Sequence, residues 1–286
     1  DSAFLKNEIY LLAYEEATTN WGLSLDNRLG LNDYVFFNND TTGGNEPDIL
    51  RPIELFELVF NHLFTAPITL SSEEQFLKND MAKYLGVTQD SIWSGENIVS
   101  RFGSRTESPE IVEDLSDIVD NGNVYVIDDI VVPPKYTFGE LIAEDTAYSR
   151  FKDICEDAGL YPDGQFQVFG RFPTAFIPTN AALNQYINEG NLPTSEEELQ
   201  SFIKYFFVNE TFFTNASVSG MFETVSKDES LSTEFEIVYR SAELEGTPGS
   251  LRVKGTGNST FFDVTGLRNI ICDDGIIHQI NGVLEY

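Results

Sequence analysis

Apolar positions along this chain alternate between helical spacing and strand-like blocks, and the two kinds of segment recur in the same order in each half. In the second half, Arg150 to Asp157 reads as an amphipathic helix that stops at Ala158-Gly159-Leu160. A glycine just past a helix supplies the left-handed cap, and the leucine after it can fold back on the helix. The block Thr174-Ala175-Phe176-Ile177-Pro178 then predicts a short apolar strand, followed by the polar turn Thr179-Asn180. Leu199 to Val208 predicts a strongly apolar helix, and Thr194 with Glu197 or Ser195 with Glu198 would form a capping box before it. Glu234 to Tyr239 alternates polar and apolar residues, as a half-exposed strand does, and Ser250 to Lys254 does the same after a Pro248-Gly249 turn. Gly275 to Leu284 predicts a strand, a tight Asn281-Gly282 turn and a short returning strand. Helices first and strands afterwards make an α+β arrangement.

The first half repeats this order. A helical stretch through Tyr14-Glu15-Glu16-Ala17 ends in Trp21-Gly22-Leu23, and Tyr34-Val35-Phe36-Phe37 leads into Asn38-Asn39-Asp40. The apolar helix is Leu55 to Phe64. Leu115, Ile118 and Gly122 precede NVYVIDDIV as Leu267, Ile270 and Gly275 precede IIHQINGVL, with Asp128-Asp129 at the turn position. The offset between matched positions grows steadily along the chain, as expected for two copies of one fold, the second with longer loops. Ser71 to Leu85 departs from the pattern and reads as a helix with its own capping box. Pro133-Pro134 follows the last predicted strand of the first copy. Two residues without N–H donors suit the exit from a sheet, so the boundary falls there: 1–134 and 135–286.

Composition sharpens this. With 286 residues, 41 % of them hydrophobic and 13 % aromatic, the chain has material for packed cores despite a formal charge of −30. That charge, carried by both halves, argues against nucleic acid and against adsorption to anionic membranes. No apolar run is long enough for a transmembrane helix. Two Cys and two His leave little for a transition-metal site, and no dinucleotide or phosphate loop is present, so no cofactor is expected. Gly255-Thr256-Gly257-Asn258-Ser259-Thr260 reads as a hairpin loop, and Asp120-Asn121-Gly122-Asn123 and Cys272-Asp273-Asp274-Gly275 as turns before strands. Cys155 reads as a small buried hydrophobe, and a Cys155–Cys272 bridge, joining the opening helix to the last strand, stays open. Four sequons occur, at Asn39, Asn209, Asn215 and Asn258.

The ordered segments AFIPTNAAL (Ala175 to Leu183), the apolar helix, and DGIIHQINGVL (Asp274 to Leu284) resemble the fasciclin-like domain family across the second half. The first half resembles a diverged copy, with Asn38-Asn39-Asp40 in place of Pro-Thr-Asn and Tyr125 in place of the final His. The resemblance implies two fasciclin-like domains, each a β-sheet wedge flanked by helices. It implies an extracellular or cell-surface protein that works in adhesion or ligand binding and is not an enzyme. Its partner would be a protein or a polysaccharide. Tandem, acidic, Cys-poor copies also resemble bacterial surface lipoproteins, which implies an outer-membrane location and a lipid anchor upstream of residue 1. The family's Tyr-His position, implicated in partner contact, corresponds to Asn61-His62 and Tyr205-Phe206; Pro178, Thr179, Asn180, Gly275 and His278 carry the family pattern in a mainly structural role. Two other functions stay in view. One is a carboxylate-based glycan hydrolase, which needs two carboxylates facing each other across a cleft. The other is a structural spacer of a surface protein.

Overall fold

A computed structural model describes residues 34–37, 47–50, 62–64, 68–79, 83–93, 109–112, 117–119, 122–127, 131, 134, 136–161 and 172–286. The chain divides into two compact units, one of residues 1–66 with 79–82 and one of residues 67–78 with 83–286. The predicted first-half helices through Tyr14 and from Leu55, and the Asn38-Asn39-Asp40 turn, lie wholly or mostly outside the described residues. In the first unit, β1 (Tyr34–Phe37) and β2 (Pro47–Leu50) form an antiparallel pair.

In the second unit, β3 (Gln75–Lys78), β4 (Tyr84–Val87) and β5 (Ile92–Trp93) form a three-stranded antiparallel sheet. This corrects the helix expected over Ser71 to Leu85. The segment pairs its backbone as strands and packs its aromatic rings against rings from another part of the chain. Phe76 stacks on Phe213 at 4.1 Å between centroids, and Tyr84 packs against both Phe213 and Phe172. Tertiary burial of this kind overrides a local helical preference. A short hairpin follows, β6 (Asp117–Val119) with β7 (Gly122–Val124).

From residue 137 the expected helices appear. The first, α1 (Phe138–Glu144), has a complete capping box between Thr137 and Glu140. The second, α2 (Ser149–Asp157), ends as expected: Gly159 has φ +64°, its N–H donates to the Glu156 carbonyl, and the Leu160 N–H donates to the Cys155 carbonyl. Strand β8 (Thr174–Pro178) is buried along its whole length. It leads through Thr179 into α3 (Asn180–Asn188). The apolar helix α4 (Glu196–Tyr205) is capped by Ser195, whose Oγ accepts from the Glu198 N–H and donates to its carboxylate. It starts three residues earlier than the apolar pattern suggests and gives way to β9 (Phe207–Val208).

The strands that follow are β10 (Val218–Lys227), β11 (Tyr239–Thr247), β12 (Ser250–Gly255), β13 (Phe262–Ile271) and β14 (Ile276–Ile280). Together with β8 and β9 they close into a barrel, in the order β10-β11-β12-β13-β14-β8-β9. The α+β character stands, but the open wedge expected from the sequence does not. Closure depends on one two-residue strand. Val208 of β9 pairs with Thr174 of β8 on one side and with Thr224 of β10 on the other. Edges that would otherwise be left unpaired are thereby joined. The parallel pair β14–β8, in register from Ile276↔Thr174 to Ile280↔Pro178, is almost wholly buried. Strands buried on both faces carry continuous apolar runs, which explains why both segments lack alternation. The four helices pack on this barrel around one core that includes Phe138, Phe151, Phe176, Phe202, Phe206 and Phe207.

Two local expectations also change. Glu234 to Val238 is a loop, and the strand begins only at Tyr239. Gly282 does not turn the chain into a returning strand, although Val283 and Leu284 are buried as the apolar pattern implies. A Cβ at Gly282 would lie 2.1 Å from the Phe262 ring, so the glycine admits an aromatic face. The Pro248-Gly249 turn, the loop after Gly255 and the turn from Cys272 to Gly275 all occur where expected.

Candidate functional site

The Pro178-Thr179-Asn180 triplet sits where the central strand becomes a helix. Pro178 ends β8 opposite Ile280, and its missing N–H is harmless at a strand end. Thr179 caps α3, its Oγ1 accepting from the Ala182 N–H at 3.2 Å. Asn180 reaches the neighbouring helix. Its Oδ1 accepts from the Arg150 N–H at 3.1 Å, and its Nδ2 donates to the Thr146 carbonyl and to Ser149 Oγ. One asparagine therefore supplies a partner for the first turn of α2 and fixes α3 against it.

His278 lies on β14 and is fully buried. Its Nε2 is 2.9 Å from the Phe212 carbonyl, and its Nδ1 accepts from the Asn269 N–H at 3.2 Å. These partners select the neutral Nε2–H tautomer. Burial, joined by the Arg268 charge, lowers the imidazole to about 4 against the Phe212 hydrogen bond. Asn269 has φ +54° at an irregularity in the β13–β14 register, a conformation asparagine tolerates. Its side chain accepts from the Thr214 N–H and donates to Thr214 Oγ1 at 2.7 Å. Thr174 Oγ1 donates to the Glu210 carbonyl and accepts from the Phe212 N–H. His278, Asn269 and Thr174 thus bind the connector between β9 and β10 to the barrel, and that connector presents Phe213 to Phe76 and Tyr84. The sequence singled out His278 but neither Asn269 nor Thr174, because nothing local marks residues whose partners lie tens of positions away.

Gly275 closes the β13–β14 turn, where a Cβ would lie 2.3 Å from Phe138 Cζ and 2.4 Å from the Pro173 carbonyl oxygen. Beside it, Asp274 Oδ1 accepts from the Phe138 N–H at 2.8 Å, at the first turn of α1. Burial nevertheless pushes this carboxyl up to about 6, with Asp273 and Glu140 adding to the rise. A raised carboxyl is what a glycan hydrolase needs in its acid, but this one is engaged with a helix N-terminus.

Tyr205 and Phe206 are both fully buried. The Tyr205 hydroxyl donates to the Ser241 carbonyl and accepts from the Thr256 N–H, and its ring meets Tyr286 edge-on. Phe206 packs edge-on against Phe151 and Phe202. These side chains belong to the core and present no surface to a partner. His62 is half-buried in the other unit, and Asn61 lies outside the described residues. Tyr125, at the first copy's His position, donates to the Ile68 carbonyl at 2.8 Å. Cys155 and Cys272 are both buried free thiols, and burial raises the pKa of each. Among the sequons, Asn39 lies outside the described residues and Asn209 is exposed, while Asn215 donates to the Glu74 carbonyl. Asn258 is spent on Gly255, Val283 and Glu285.

Among the described residues, no group of three or more His, Cys, Asp or Glu could hold a metal ion, and no helix is long and apolar enough to cross a membrane. The model of the fasciclin domain family matches residues 146–286. Fasciclin domains are characteristically non-catalytic and serve adhesion and ligand binding. Among solved structures, the chain is similar to a FAS1 domain pair from the insect cell adhesion molecule fasciclin I. The identity is 15 % and the TM-score 0.39, over 74 % of this chain and 67 % of that one. No curated protein matches the chain. Residues 146–286 are a fasciclin-like domain.

Proposed function

We propose that this chain is a non-enzymatic secreted or cell-surface protein that holds a macromolecular partner, a protein or a polysaccharide. The observation that carries the reading is the fasciclin domain match over residues 146–286. The site chemistry agrees with it. Every polar residue of the family pattern in this domain is engaged in folding: Thr179 and Asn180 in helix starts, His278 in holding a connector. Within this reading, residues 1–134 are a diverged second copy, the domains meet near Pro134, and a lipid anchor precedes residue 1. Asn61 and His62 are the first-half contact positions. The large negative charge suits an exposed surface kept soluble by self-repulsion.

Immobilised matrix proteins and polysaccharides, screened against the purified chain, test this reading alongside a panel of chromogenic glycosides. The expected result is saturable binding to at least one surface and no release of chromophore. Turnover of any glycoside, or binding to none of the surfaces, overturns it.

A further inference from the structure

The loop between β10 and β11 combines order with apolar exposure. Phe235 is 94 % exposed, Leu231 63 % and Ile237 58 %. Single exposed apolar residues are ordinary, but here three fall within one seven-residue stretch. The loop that carries them is tightly hydrogen-bonded. At its base the Asp228 N–H donates to the Val238 carbonyl, and the Arg240 guanidinium donates to the Lys227 carbonyl. The Asp228 carboxylate accepts from both the N–H and the hydroxyl of Ser230. Ser232 Oγ accepts from the Val238 N–H and donates to its carbonyl. At the tip, the Thr233 N–H donates to the Glu236 carbonyl at 2.8 Å, and Thr233 Oγ1 accepts from the N–H groups of Glu236 and Phe235. Phe235 therefore projects from a turn closed on both sides.

Glu234 and Glu236 flank Phe235, and neither is in an ion pair among the described residues. We infer that this loop is a docking element, with Phe235 entering an apolar pocket on a protein partner rimmed by Lys or Arg. The charges choose the occupant. Two glutamates beside the ring complement a basic rim, whereas an anionic lipid surface would repel them. A second copy of this chain would bring an identical acidic tip and a net charge of −30 against it. An aromatic anchor on a loop already ordered loses little freedom on binding, which is the arrangement found at interface hot spots. The inference rests on the adhesive reading above and gives that reading a surface and a partner chemistry.

Two synthetic peptides on a sensor surface test it, both with a Leu/Phe core, one flanked by Lys and Arg and the other by Glu. The whole chain should bind the basic peptide at least tenfold more tightly than the acidic one, and more weakly as salt rises. Phe235→Ser should reduce that binding at least tenfold, and Glu234→Gln with Glu236→Gln should reduce it severalfold and flatten the salt dependence. Because these side chains face solvent, thermal melts of the variants should match the parent and separate lost binding from lost folding. Equal binding by Phe235→Ser, preference for the acidic peptide, or no binding of either peptide overturns the inference. So does Phe235-dependent binding to phosphatidylcholine/phosphatidylserine vesicles or to polysaccharide, or Phe235-dependent self-association in sedimentation. Adhesion in the matrix screen that is indifferent to Phe235 would remove this surface and leave the adhesive reading standing. Failure of that whole screen would remove the adhesive reading while the peptide comparison still reports on the loop.

Discussion

His278 and Asp274 titrate in overlapping windows with opposite effects on stability. His278 drops to about 4 from an ordinary 6.5, so the unfolded chain takes up the proton first. Its contribution is complete above 6.5 and is lost as pH falls toward 4. Asp274 rises to about 6 from 3.8, so the fold prefers the neutral acid. Its contribution is complete below 3.8 and is lost as pH rises through 6. Between pH 4 and 6 the two slopes oppose each other, and urea midpoints across that range separate them by substitution. His278→Gln removes the rising slope, so stability should then fall from pH 4 to 6. It should also cost about 1–3 kcal/mol at pH 7, because the Phe212 carbonyl and Asn269 N–H lose a matched pair of partners. Asp274→Asn keeps an acceptor for the Phe138 N–H and cannot ionise. It should stabilise the protein by about 1–2 kcal/mol at pH 7 and change little at pH 4.

Helix ends in the fasciclin-like domain follow local rules, and the sequence showed most of them. Gly159 and Leu160 stop α2 as read, and Ser195 with Glu198 starts α4. Thr179→Ala should cost about 1 kcal/mol in a denaturant titration, the usual loss for an N-cap. Gly275→Ala should cost more, about 1–3 kcal/mol, because the new methyl meets both the Phe138 ring and the Pro173 carbonyl. If the two variants melt alike, the close approach at Gly275 is relieved by movement of α1. Local pattern and structure part where distant residues decide. The stretch from Ser71 has a helix-like start, but Phe76 and Tyr84 are held as strand residues by Phe213, more than a hundred positions away. Glu234 to Val238 alternates like a strand, yet Ser232, Thr233 and Asp228 capture its backbone groups in a loop.

At the scale of the molecule, barrel closure sets what is accessible. Cys155 and Cys272 lie inside the closed domain. Ellman's reagent should therefore find no reactive thiol in the native protein and two after denaturation, without reductant. A single slow-reacting thiol in the native state would show that the packing over that cysteine opens. The sequence by itself determined the α+β order of elements, the helix caps, the turn at Cys272 to Gly275 and the fasciclin resemblance of the second half, because each depends on residues a few positions apart. It also put His278 on the last strand in a mainly structural role. Tertiary structure alone decided that the sheet closes, since closure runs through Val208 pairing with both β8 and β10, which stand far apart in the order of the other strands. It alone assigned His278, Asn269 and Thr174 to one connector and turned Phe235 outward, because hydrogen-bond partners and solvent exposure depend on residues that only the fold brings together.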